Sequence, residues 1–175
     1  MKNVYIVLSR TGTIFSRLIG LYTKDEYNHS AIAFDSSLKV MYSFGRNKRF
    51  NIFDNGFKAE NFHEGLYVYF PNAKCCVLEV PVSDQEYDAM QEEVQSFIKQ
   101  KNSYRYNLLG VIIYPIGFRL KRDKHYFCSE FVSRVMTRCQ DWNAIPEKTK
   151  PMDFYRKYNE RLIYEGNILK FGRIS

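Results

Sequence analysis

Two residues of this chain combine a reactive side chain with a setting that could activate it: a cysteine opening a helix and a histidine opening a strand. Cys128 lies in His125-Tyr126-Phe127-Cys128-Ser129-Glu130-Phe131-Val132. After it, Phe131, Val132, Val135, Met136 and Cys139 recur at helical spacing, and Glu130, Ser133, Arg134, Thr137 and Arg138 form the polar remainder. A thiol in a first helical turn meets free backbone N–H groups and the positive end of the helix dipole. Both stabilise the thiolate, which is the nucleophilic form. The competing reading is a buried structural cysteine, since free cysteine is among the most buried residue types. His29 opens His29-Ser30-Ala31-Ile32-Ala33-Phe34, whose alternation puts His29, Ala31 and Ala33 on one face. Alanine has weak strand preference, so two alanines behind a histidine imply a face that a helix approaches closely. The helix beginning at Cys128 is the expected occupant. The chain has three histidines, so the base for a reactive thiol comes from a short list.

A strand opening with histidine, followed about a hundred residues later by Cys128-Ser129-Glu130-Phe131-Val132, resembles the circularly permuted branch of the NlpC-type papain-like fold. That branch includes YiiX-like amidases and the lecithin-retinol acyltransferase group. Ordinary papain-like enzymes place the cysteine helix first; the permuted branch places histidine first. The resemblance extends through Val4-Tyr5-Ile6-Val7-Leu8-Ser9-Arg10-Thr11 and Met41-Tyr42-Ser43-Phe44-Gly45-Arg46, but not clearly through residues 46–70 or 140–175. It implies an α+β fold in which an antiparallel sheet packs against the helix bearing the cysteine. It also implies a Cys128 nucleophile, a His29 general base, and amidase or thiol-protease chemistry. In these families a neighbouring strand often supplies a His, Glu, Asn or Gln that orients the imidazole.

The elements around the pair must supply that third group. A three-residue turn at Asp35-Ser36-Ser37 pairs Phe34 with Leu38 and sets His29 opposite Ser43, on a shared face. Ser43 is therefore the candidate third catalytic residue, although a serine cannot offset an imidazolium as a carboxylate would. A one-residue change of register would put Phe44 there instead. Glu130 is a poor substitute, being two residues and roughly 200° around the helix from Cys128. Elsewhere the pattern predicts a strand over 3–9, a short helix over 13–22, and a loop over 45–65 holding at most a short strand. Strands are expected at 66–70 and 75–80. Ser83 and Glu86 read as a capping box opening a helix to about Gln100. Residues 106–118 read as a Pro-interrupted apolar segment, Pro151 as the first turn of a helix to about Tyr158, and 161–171 as a closing hairpin.

Composition bounds the rest. With 175 residues, fourteen Tyr and fourteen Phe, a single folded domain over residues 1–175 is expected. Met1-Lys2-Asn3 leads directly into a strand without a signal pattern, and the longest apolar stretch, Leu108 to Phe118, is too short to span a bilayer. The four cysteines, two of them adjacent at Cys75-Cys76, suit a reduced, cytoplasmic chain in which Cys75, Cys76 and Cys139 are structural thiols without disulfides. His125 and Cys128 have a ligand-like gap but no second spaced pair, so neither a metal nor another cofactor is expected. The net charge is +7. Arg119, Lys121, Arg122 and Lys124 precede Cys128, while Arg46, Lys48 and Arg49 follow Ser43. If both groups flank one cleft, Arg46, Lys121 and Arg122 are candidate substrate contacts for carboxylates or phosphates. No nucleic-acid motif accompanies the charge, so nucleic acid is not the expected partner.

These readings converge on a cysteine hydrolase cleaving an amide bond, plausibly in a peptide or a peptidoglycan-derived fragment. Two alternatives stay open. One is a lipid-directed acyltransferase or phospholipase in peripheral contact with a membrane, its acyl chain held by the apolar 108–118 segment. The other is a non-catalytic binding module of the same fold, suggested by serine at the third position.

Overall fold

The computed structural model describes residues 1–11, 25–46, 55–65, 67–107, 109–110 and 122–172. A six-stranded, wholly antiparallel sheet is its centre. In chain order the strands are β1 (Lys2–Arg10), β2 (His29–Ala33), β3 (Met41–Arg46), β4 (Asn55–Glu60), β5 (Lys74–Val82) and, after the short parallel pair β6 (Arg105–Tyr106) and β7 (His125–Tyr126), β8 (Leu162–Asn167). In space they run β4-β3-β2-β1-β5-β8. Helices α1 (Asp84–Lys99), α2 (Cys128–Met136) and α3 (Pro151–Tyr158) complete an α+β architecture. No helix among the described residues is long and apolar enough to cross a membrane.

The near-continuous apolar run of β1 reflects burial on both faces. Val4, Ile6 and Leu8 face the helices, joining Ile32, Phe44, Phe57, Met90, Val94, Phe97, Phe131, Val132 and Phe154 in the larger core. Phe44, Phe57, Phe97 and Phe131 interlock there, with ring centroids 5.1–5.9 Å apart. Tyr5 and Val7 face the other side, where Ala31, Ala33, Leu38, Met41, Phe62 and Tyr67 form a second core under a 3-10 turn at Tyr67–Tyr69.

Several expectations fail at this level. The Ala31/Ala33 face receives Tyr67 and Phe62 rather than the Cys128 helix, which packs on the Ile32 side. Small residues make room there as anticipated, but for aromatic rings. The 66–70 strand is instead the 3-10 turn, and the closing hairpin is β8 paired to β5, followed by a 3-10 turn at Ile168–Lys170. Helix α2 ends at Met136, leaving Cys139 in the turn beyond it. Other elements stand close to their anticipated bounds. The capping box is one: Ser83 Oγ accepts from Glu86 N–H at 3.2 Å, and Glu86 Oε2 accepts from Ser83 N–H at 2.8 Å. The 13–22 helix and most of the 106–118 segment lie outside the described residues.

Candidate active site

Helix α2 begins at Cys128 itself, after an extended Phe127 (φ −83°, ψ 159°) whose N–H donates to Glu130 Oε2 at 3.2 Å. Glu130 thus closes the helix start with a negative charge at the positive dipole end, and Cys128 keeps a first-turn position. The helix is anchored from behind. Ser129 Oγ donates to Thr149 O at 2.7 Å, and Trp142 Nε1 donates to Ser133 Oγ at 2.8 Å. Thr149 Oγ1 lies 2.9 Å from both Ser133 Oγ and Ile145 O. Thr149 is the donor in both contacts, its single proton shared between the hydroxyl and the carbonyl.

The Cys128 sulfur reaches the rim of the sheet where the β2–β3 ladder stops. That ladder pairs Ile32 with Tyr42 and Ala33 with Met41. Beyond it, the Ser30 N–H is hydrogen-bonded to Cys128 instead. His29 is the other group that reaches the thiol, interacting with it side chain to side chain. Burial by itself would raise the Cys128 pKa. The His29 hydrogen bond and charge outweigh it, aided by Ser30, and the thiol lies below its ordinary value. Burial likewise favours neutral His29, yet the Glu60 carboxylate and the Cys128 thiolate lift the imidazole to about 10. Both shifts favour the thiolate–imidazolium form of the pair over the neutral one.

The third member is Glu60. His29 Nε2 lies 2.7 Å from Glu60 Oε1, which leaves Nδ1 for the sulfur. As an imidazolium, His29 donates from both nitrogens. Glu60 Oε2 accepts from Lys58 Nζ at 2.7 Å, and the Lys58 ammonium also donates to Arg46 O at 3.2 Å. Burial opposes the Glu60 charge, but Lys58 and His29 overcome it and hold the carboxyl far below the ordinary range.

This corrects the assignment of Ser43. Carried back three residues, the observed pairs set Gly45 opposite His29, two positions from the expected register. The turn is longer than three residues: Asp35 Oδ1 accepts from Ser37 N–H at 3.0 Å, and Leu38 takes a left-handed φ of 51°. Ser43 pairs with Lys58, and its buried Oγ has no hydrogen-bond partner. His29 and Lys58 both lie over Gly45, where a Cβ would sit 3.7 Å from His29 Cε1 and 3.4 Å from Lys58 Cε.

The remaining candidates separate. Arg46, at the end of β3, acts electrostatically on Tyr106, as does Cys128, so the tyrosine is within reach of both. Arg122 is exposed on the turn before β7, and Lys121 lies outside the described residues. His125 Nδ1 meets Asp123 O at 2.7 Å, while the His63 N–H is held by Asn61 Oδ1 at 2.8 Å in the loop after β4. All four cysteines are free thiols, and no group of three potential ligands among the described residues could hold a metal ion.

Glu60 went unrecognised in the sequence because it sits in a stretch read mainly as loop. A signal was present: Gly56, Lys58 and Glu60 alternate with Phe57 and Ala59, and a strand there places Lys58 and Glu60 on one face. Comparison with family models, with curated proteins and with solved structures gives no match for this chain.

Proposed function

We propose that this protein is a cysteine hydrolase of circularly permuted, NlpC-type papain-like fold, acting on an amide bond through Cys128, His29 and Glu60. The observation that carries the reading is the bridging imidazole, with a helix-start thiol on one nitrogen and a buried carboxylate 2.7 Å from the other. In the first step the thiolate attacks the amide carbonyl, with the backbone N–H of Cys128 facing the oxyanion. The C–N bond then breaks, and the leaving amine takes its proton from the His29 imidazolium. In the second step neutral His29 takes a proton from water as the oxygen attacks the thioester. The C–S bond breaks, the thiolate–imidazolium pair is restored, and the acid product ionises into solvent.

The binding-module alternative rested on a serine beside His29, and a carboxylate 2.7 Å from the imidazole supports the hydrolase reading instead. Arg46, which acts on the same Tyr106 as the thiol, is among the described residues a candidate cation for an acidic group on the substrate. A peptide or peptidoglycan-derived fragment carrying carboxylates fits that polarity, and four free thiols fit a reducing, cytoplasmic setting. The test is hydrolysis of acidic stem-peptide amides, short-chain thioesters and phospholipid vesicles by wild type and Cys128→Ala. Amide turnover lost in the variant is the expected result. Turnover confined to vesicles would favour the lipid-directed enzyme, and no acyl transfer from any of the three would overturn the hydrolase reading.

A further inference from the structure

The array does not end at Glu60. β4 is an edge strand of the sheet, and lysines on edge strands commonly point to solvent or simply discourage pairing with other chains. Lys58 does neither. Its side chain is 16% exposed, lies over Gly45 beside the His29 ring, and bonds Glu60 Oε2 and the Arg46 carbonyl. Four charges therefore alternate through the site: Cys128 thiolate, His29 imidazolium, Glu60 carboxylate and Lys58 ammonium.

We infer that Lys58 is a positioning residue of this array, holding one Glu60 oxygen so that only the other faces the imidazole, and limiting with its charge how firmly His29 keeps its proton. The inference rests on the hydrolase reading for its consequence but not for its measurement. Without the ammonium, His29 would face two anions and one fewer cation. A proton held that firmly is a poor donor to a leaving amine, whereas alkylation by iodoacetamide expels iodide and needs no such donation. Among the described residues, Tyr67 from the 3-10 turn lies within electrostatic reach of Glu60, of Cys75 on β5 and of Cys128, and Tyr106 on β6 lies within reach of Cys128 and of Arg46 on β3. Tyr67 and Cys75 are pushed up by burial and stay neutral across the working range, so they do not replace the missing cation.

The experiment follows the His29 ring by NMR in the full chain carrying Cys128→Ser, where loss of the thiolate brings the midpoint into an accessible range. Adding Lys58→Met should move that midpoint up by about one pH unit, as loss of a close charge does. Lys58→Arg should restore it and guards against a folding artefact. With Cys128 present, Lys58→Met should keep fast alkylation at pH 6 while slowing amide turnover about tenfold. A midpoint that stays put, or that falls as it should in Glu60→Gln, would overturn the inference. Failure of wild-type Cys128 to outpace Cys139 in labelling would instead sink the hydrolase reading and leave the titration result standing.

Discussion

Cys128 opens helix α2 and Cys139 lies in the turn beyond its end, and both are 4% exposed, yet their surroundings push their thiols in opposite directions. Burial raises the Cys139 thiol, and the carboxylates of Glu86 and Asp141 add to the rise; backbone N–H groups only soften it. The same burial acts on Cys128, but the His29 imidazole and Ser30 reverse it. On the sheet, Cys75 has no such partner and is pushed up to about 12. Burial alone raises a thiol; what lowers Cys128 is the set of charges and donors that reach it.

The comparison can be broken most completely by removing the imidazole. His29→Ala should lower Cys128 alkylation at pH 6 by about two orders of magnitude, towards the Cys139 rate, in a peptide-resolved mass-spectrometric assay. His125→Ala should leave it nearly unchanged, and the opposite pattern would mean that the base has been assigned wrongly.

Glu60→Gln should come next. It keeps an acceptor for His29 but strips the charge and strands Lys58, so labelling should fall about tenfold and stability in urea by about 3 kcal/mol. An unchanged urea midpoint would show that the buried pair contributes little.

A third prediction concerns pH, and its sign follows from the two partners together. His29 is raised from 6.5 to about 10 and Cys128 is lowered from 9.0. The raised imidazole contributes stability that is full below its unfolded value and is lost as pH rises through about 10, and the lowered thiol contributes stability that is present above 9.0 and lost as pH falls. Between about pH 9 and 10 the unfolded thiol is already ionised and only the folded state still holds the His29 proton, so stability falls with rising pH there. Urea midpoints should show this alkaline loss in wild type and lose it in His29→Ala.

The smallest effect is expected at Ser43. Its orphan hydroxyl is buried without a partner, so Ser43→Ala should leave labelling unchanged and raise stability by up to about 1 kcal/mol. A loss of reactivity like that of Glu60→Gln would restore Ser43 to the site.

What the sequence made legible was local. The Ser83–Glu86 box, the Pro151 helix start and the alternation of β2 depend on neighbours within a few residues, and each stands in the structure. The Cys128–His29 meeting could be inferred because each residue marks the beginning of its own element. Glu60 could not, because its approach to His29 depends on β3–β4 pairing across a loop and on a turn lengthened by Leu38. The alanine face was misassigned for a related reason: small side chains announce a close neighbour but do not name it.

Two carboxylates on α1 also tie it to the cysteine helix. Glu93, itself almost buried, binds Arg134 at 2.9 Å and Arg138 at 2.7 Å, while Glu86 accepts the Gln140 N–H at 2.9 Å. Together they couple α1 to the helix and to the turn after it, so the two helices should open and close as one cooperative unit. Any local opening around Cys128 then falls to the rim where β2 and β3 part, and the thiol stays fixed while its surroundings yield.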